Sequence, residues 1–350
     1  MRQWHIVAGA VVITAALAAC SGDPNARTAQ AGKAVSVAPG TLTRTELAQF
    51  APLPKQMANA KSPSTAPQVA LGRKLYYETT LSSKHDVSCN SCHPLNAYGA
   101  DGRAKSFGDH GQLGGRNSPS VYNAAGQVAQ FWDGRAPTVE EQAKGPILNP
   151  AEMGMPNTAE VLAHLRESPE YRVAFKAAFP TDAEPVSYDN VGRAIGAFER
   201  GLITPARWDR YLEGDVGSLT LVETRGAKTF VAAGCASCHN GAFVGGGLYQ
   251  KAGVARAWPT TADSGRLKVT GINSDLFVFK VPSLRNVAMT APYFHDGSVA
   301  SLDEAIRMMG QHQLGVELTD AQVKDIRSWM DSLTGELPVE YIALPQLPKR

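Results

Sequence analysis

The sequence lacks a charge imbalance, a long apolar run and clear two-residue alternation, and each absence removes a class of protein. Its 34 basic and 32 acidic residues leave a formal charge of +2, so there is no electrostatic footprint for nucleic acid. The one sustained apolar segment, Ile6 to Ala19, falls short of the roughly 20 residues that a membrane-spanning helix needs. Alternation of apolar and polar residues, the mark of half-buried strands, is scarce, which argues against a β-sandwich or barrel. What is present is a globular balance, 43% hydrophobic to 19% charged over 350 residues, long enough for two domains of ordinary size.

Cysteine is also sparse, with five in the chain. Cys20 closes the apolar segment after a start that carries one arginine and no acid, the layout of an export signal. Leu17-Ala18-Ala19-Cys20 has the form of a bacterial lipobox, in which Cys20 becomes the lipidated first residue. Ordinary cleavage after Ala16-Leu17-Ala18 would instead leave an exposed, unpaired thiol in an oxidising compartment. The expectation is a signal peptide over 1–19, a polar tether over 20–45 and a periplasmic lipoprotein held to a membrane by its lipid anchor.

The other four cysteines fall into "CNSCH" (Cys89, Cys92, His93) and "CASCH" (Cys235, Cys238, His239). C-x-x-C-H is the attachment signature of c-type haem: each thiol adds to a porphyrin vinyl group and the histidine binds iron from one face. A redox C-x-x-C would not call for histidine at the next position twice. A zinc ribbon would not normally place its halves so far apart. Two covalently bound haems follow, with His93 and His239 as proximal ligands.

"LGRKLYYETTLSS" (Leu71 to Ser83) precedes the first motif and "TRGAKTFVAAG" (Thr224 to Gly234) the second. Each reads as a short amphipathic helix with a Gly-x-Lys start, so the chain repeats a cytochrome-like unit. Apolar spacing predicts further helices over Asn157–Phe179, Ser187–Leu202, the "SLDEAIRMMGQH" segment and Thr319–Leu333. The expected fold is all-α: two cytochrome c-like haem domains with long loops, at 46–210 and 211–350, the haems near the interface and the last residues packing back on the first domain. The segment "AIRMMGQHQLG" offers three metal donors, Met308, Met309 and His312; on a helix Met308 points about 100° away from Met309 and reads as core, whereas His312 lies on nearly the same face and competes with it.

"QFWDGR" after the first haem motif and "VPSLRNVAMTAPYFHDGS" after the second resemble the bacterial dihaem cytochrome c peroxidases, a family that shares a superfamily with MauG; the likeness runs from about Leu71 to Thr334. It implies reduction of hydrogen peroxide to water at the N-terminal haem, with electrons drawn from a small cytochrome c or cupredoxin through the C-terminal haem. His110, in a glycine-rich loop, matches the displaceable distal ligand of the first iron; His85 is a weaker competitor and His164 reads as a surface residue. Glu152 matches the acid-base glutamate and Gln142 its positioning amide, while Glu140 and Glu141 read as solvated acids at a helix start. Trp132 matches the tryptophan between the haems, and Asn117 with the carbonyls of Thr290 and Pro292 matches an interdomain calcium site. His295 matches a structural histidine near the second haem. The family register places the axial ligand of the second iron on Met309, where MauG-like enzymes have tyrosine, and relatives pair as homodimers. The rival readings are a MauG-like oxidase that modifies a partner protein and a dihaem electron carrier or sensor without turnover.

Overall fold

The computed structural model describes residues 33–37, 40–58 and 63–348; the expected export segment and Cys20 lie outside them. Nine helices of six or more residues carry these parts of the chain: α1 (Ala66–Tyr77), α2 (Val139–Leu148), α3 (Thr158–Glu167), α4 (Pro169–Ala178), α5 (Tyr188–Glu199), α6 (Arg207–Leu212), α7 (Leu221–Ala233), α8 (Leu302–Met309) and α9 (Asp320–Asp331). Among the described residues, strands are confined to two short pairs. β1 (Lys33–Ala34) runs parallel to β4 (Val316–Glu317), and β2 (Tyr249–Lys251) runs antiparallel to β3 (Val278–Lys280). No described helix is long and apolar enough to cross a membrane.

Several boundaries differ from the periodicity reading for local reasons. α1 begins at Ala66 because Thr65 and Gln68 form a capping box with a proline in the first turn. The single helix expected over Asn157–Phe179 is two helices. Ser168, which precedes Pro169, is extended (ψ 119°), as the proline ring demands of its neighbour, and its side chain then caps α4. The "Gly-x-Lys" glycines lie inside their helices rather than at the starts. A Cβ at Gly72 would come within 1.8 Å of the Ala194 carbonyl on α5, and one at Gly226 within 1.9 Å of the Asp325 carbonyl on α9. Each glycine thus lets the helix before a haem motif cross its partner backbone to backbone. Gly226→Ala is expected to destabilise the protein by about 1–3 kcal/mol or more, since carbonyl backbone cannot yield as a side chain can; chemical denaturation of the haem-loaded protein measures it.

Two hydrophobic cores result. Leu71, Leu75 and Tyr76 of α1 pack with Phe175 and Phe198 in the first, and Phe230, Trp208 and Trp329 dominate the second. The chain ends cross over. Leu42 and Phe50 are buried in the second core, with the Phe50 ring 5.3 Å from Trp208, while Ile342 is buried in the first and Tyr341 stacks on Phe198 at 5.1 Å. The stretch expected to be a free tether is therefore in part built into the fold. Lys33–Ala34 pairs with β4, and Thr43 with Glu46 forms a capping box beside the buried Leu42.

The two domains are related by a second repeat, at a constant offset of 163 residues (Pro119 to Pro282, Asn123 to Asn286). "PSVYN" becomes "PSLRN" and "FWDG" becomes "FHDG". The backbone follows: Asn123 and Asn286 are left-handed (φ 58° and 60°), as are Phe131 and Phe294 (66° and 70°). Both asparagine amides donate to one buried hydroxyl, Thr204 Oγ1, at 2.8 and 2.9 Å. Across the axis, Asn117 N–H donates to the His295 carbonyl and Lys280 N–H to the Trp132 carbonyl, at 2.9 and 2.8 Å.

Candidate functional site: two cavities with a common wall

The first C-x-x-C-H motif opens into a cavity of about 640 Å³ that Cys89, Cys92, His93, Gln142, Pro146 and Glu152 line together. Tyr76 of α1 fixes the motif by donating to the His93 carbonyl at 2.8 Å. His93 Nδ1 lies 3.1 Å from the Gly99 carbonyl; a carbonyl only accepts, so the proton sits on Nδ1 and Nε2 keeps its lone pair for a metal. Burial lowers the His93 pKa and pushes the Cys89 thiol far up. A neutral imidazole beside two protonated, unpaired thiols fits covalent haem better than a zinc or disulfide site.

Glu152 is positioned by the end of α2. The Asn149 carbonyl accepts its N–H at 3.0 Å, Asn149 Oδ1 accepts the N–H of Ala151, and the Glu152 carbonyl accepts Asp109 N–H at 2.6 Å. Burial raises the Glu152 pKa against the lowering pull of Arg135. A carboxyl shifted in this direction exchanges protons more readily near neutral pH. Glu199, not anticipated from the sequence, lines the same cavity; burial, with a contribution from Glu140, takes it to about 8. Its only sequence signal was an acid on the apolar face of α5. Glu140 is not a solvated acid: its side chain is 16% exposed and forms a two-point pair with Arg200 at 2.7 and 3.0 Å. Glu141 is exposed and pairs with Lys144.

His110 does not line this cavity. Its backbone is left-handed (φ 55°), its side chain is 54% exposed, and Nε2 lies 3.1 Å from Asp109, whose buried carboxylate also accepts from Ser83 Oγ at 2.6 Å. His85 and His164 stack edge to face at 4.8 Å away from the cavity, and His164 Nδ1 meets the Thr80 carbonyl, so His164 is half-buried rather than on the surface.

The second motif opens into a tighter cavity of about 190 Å³ lined by Cys235, His239 and Met309. His239 is half-buried with its Nδ1 enclosed, and desolvation lowers its pKa to about 4. The Pro282 and Val244 carbonyls lie nearby, yet Nδ1 has none in hydrogen-bond geometry. Met308 packs against the second core. His312 turns away, with Nδ1 2.8 Å from the Ala257 carbonyl and its ring 5.4 Å from Trp258. Helical spacing had put His312 near the face of Met309, but Gly310–Leu314 is wound as a π-helix, which resets that register. The 163-residue offset relates Met309 to Pro146. Where the second cavity has a thioether, the first has a residue with no donor atom.

The cavities share a wall that includes Asn117, Phe131 and Trp132. Trp132 Nε1 donates to the Asn117 carbonyl at 2.9 Å, and its ring meets His295 edge to face at 6.4 Å. His295 stacks on Phe279 at 4.3 Å and lines the first cavity, not the second. Asn117, Thr290 and Pro292 all reach the wall of the second cavity. Among the described residues no three His, Cys, Asp or Glu side chains are grouped to hold a metal ion.

Two C-x-x-C-H loops in helical domains, each with a neutral, half-buried histidine and opening onto a common wall, define a dihaem c-type cytochrome. Residues 66–217 match the model of di-haem cytochrome c peroxidase and residues 223–334 that of cytochrome c. The chain is 44% identical over 306 residues to cytochrome c551 peroxidase of Pseudomonas aeruginosa, covering 85% of this chain and 88% of that one. It is 43% identical over 298 residues to the protein of the same name from Nitrosomonas europaea, covering 84% and 87%. The methylamine utilization protein MauG of Methylorubrum extorquens is 30% identical over 322 residues, covering 84% and 86%. Among solved structures, a MauG-like protein associated with microbial copper homeostasis superposes with a TM-score of 0.75 at 30% identity, covering 84% of this chain and 97% of that one. The chain belongs to the di-haem cytochrome c peroxidase family, and its two domains are those of an oxidoreductase that reduces hydrogen peroxide with electrons from a redox partner.

Proposed function

We propose that the first cavity is the peroxide-reducing site, with Glu152 as its acid-base group. The observation that carries this reading is the contrast between the cavities: Glu152 and Gln142 line the one that has Pro146, and Met309 lines the other. Haem, when bound, supplies the iron that takes up peroxide and the electrons that pass to it. Glu152 takes the proton from one peroxide oxygen and returns it to the other, so that the O–O bond breaks with charge balanced. Gln142, an uncharged donor and acceptor one helix turn before Pro146, orients the peroxide. His110 would hold the first iron in the oxidised protein and give it up on activation. Its exposed position on Asp109, between Gly108 and Gly111 in a loop tied to the Glu152 carbonyl, supports a swing in and out.

Met309 would hold the second iron together with His239, and a thioether ligand would give that haem the higher potential that electron storage requires. Trp132 carries electrons between the cavities; its place in both linings supports that role. Asn117 Oδ1 and the carbonyls of Thr290 and Pro292 would hold calcium. Asn117 Nδ2 donates to the Arg103 carbonyl at 2.9 Å, which leaves the hard oxygen of the amide for the cation. The electron donor is a small cytochrome c or a cupredoxin, met in the periplasm by a protein anchored through Cys20 and paired as a homodimer. Met309 in the second cavity favours peroxidase over a MauG-like oxidase, which would place a tyrosine there.

A spectroscopic redox titration with peroxide turnover measured in the half-reduced state tests this reading. High-spin haem and turnover are expected to appear together once the second haem is reduced. Their absence at that point would remove the peroxidase assignment for the first cavity.

A further inference from the structure

Two charged side chains line the second cavity, Lys280 and Arg285. They differ in what neutralises them. The Arg285 guanidinium is fully buried and meets both oxygens of Asp209 at 2.8 Å, with the Ala242 carbonyl as a further acceptor. Its charge is balanced within the protein. Lys280 is 8% exposed, and its ammonium bonds to Gln127 Oε1, a neutral acceptor. No described carboxylate pairs with it. Burial lowers its pKa to about 8, the sign of a cation whose counter-charge is missing. A buried ammonium without an anion is costly, so this cavity is built to receive negative charge.

Haem carries two carboxylates, and the rest of the lining is apolar or neutral. We infer that Lys280, steadied by Gln127, holds a carboxylate of the second haem beside the wall shared with the first cavity. This rests on haem filling the second cavity. The place of Lys280 is fixed at the wall itself, since its own N–H donates to the Trp132 carbonyl at 2.8 Å. The internal repeat points to the same role for a cation here. The 163-residue offset relates Lys280 to Asn117 and Gln127 to Thr290, the pair proposed above for calcium. One side of the axis has a lysine where its counterpart has oxygen ligands.

Lys280 is a positioning residue with an electrostatic consequence. A fixed positive charge at a haem carboxylate disfavours the oxidised, more positive haem, and so favours reduction. Lys280→Gln keeps a hydrogen-bonding side chain of similar reach and removes the charge; Lys280→Arg keeps the charge. Spectroelectrochemical titration of the purified protein, with two haems per chain verified by total haem content, is the measurement. Lys280→Gln is expected to weaken reduction of the second haem by about tenfold, which is 59 mV for one electron, while Lys280→Arg stays near the unmodified value. Equal midpoints in all three proteins overturn the inference. If Lys280→Gln attaches only one haem, Gln127→Glu serves instead. It gives the ammonium a carboxylate of its own, so a lowered midpoint supports the pairing and an unchanged one overturns it. A protein without a second haem before any substitution would instead refute the cofactor assignment.

Discussion

Glu152→Gln is expected to lower peroxide turnover by about 10²–10⁴-fold and to leave both haem spectra unchanged. Glutamine keeps the size and polarity of the side chain, so the Asn149 turn and the Asp109 contact to the Glu152 carbonyl, which are backbone bonds, persist. Only the proton exchange is lost. The direction of the pKa shift adds a second readout. Glu152 must be ionised to accept the first proton, and burial holds its pKa above the usual carboxylate range. The unmodified enzyme should lose activity as pH falls through that raised value, and the variant's residual rate should show no such limb. Steady-state turnover against pH, with haem absorbance recorded in parallel, decides the matter; an undiminished rate would strip Glu152 of its acid-base role.

The second large effect is expected at the adjacent methionines. Met309→Leu should abolish the high-potential couple, because axial-ligand identity moves haem potentials over a range of roughly 0.8 V and leucine offers no donor. Met308→Leu should leave the couple in place. Met308 packs in the second core, and a volume-conserving swap there costs less than about 1.5 kcal/mol. Potentiometric titration of the two variants side by side gives a clear contrast. The reverse pattern would mean that the helix register places the wrong sulfur on the iron.

Much of this was readable from the chain. The two C-x-x-C-H loops, the helices before them and the all-α class rest on local signals: fixed spacing, 3.6-residue periodicity and a cap such as Thr319. What escaped notice had a physical reason. The haem motifs repeat at one interval and the "PS..N" and "F.DG" segments at another, because the second domain has the longer loop between them, with β2 and β3 inside it. A search at the haem interval misses the axis through Thr204. Lys280 was invisible for a different reason: nothing in its stretch of sequence distinguishes a buried charge from a solvated one until the fold closes around it, and Glu199 left only the mark of an acid on the apolar face of α5. Met308 and Met309 both lie in the regular part of α8; what spacing misplaced was His312, because the π-wound turn after Met309 does not keep α-helical phase.

The exchanged chain ends bear on the order of synthesis. The core of the first haem domain takes in Ile342, with Tyr341 stacked beside it, and that of the second takes in Leu42 and Phe50. Domains generally fold as units, N-terminal first, but here the earlier domain cannot be finished until nearly the whole described chain has emerged. Its haem motif, by contrast, appears early. Attachment of the first cofactor can therefore precede completion of the domain that will enclose it, and the late closing segment acts as a clasp that is fastened over a loaded site.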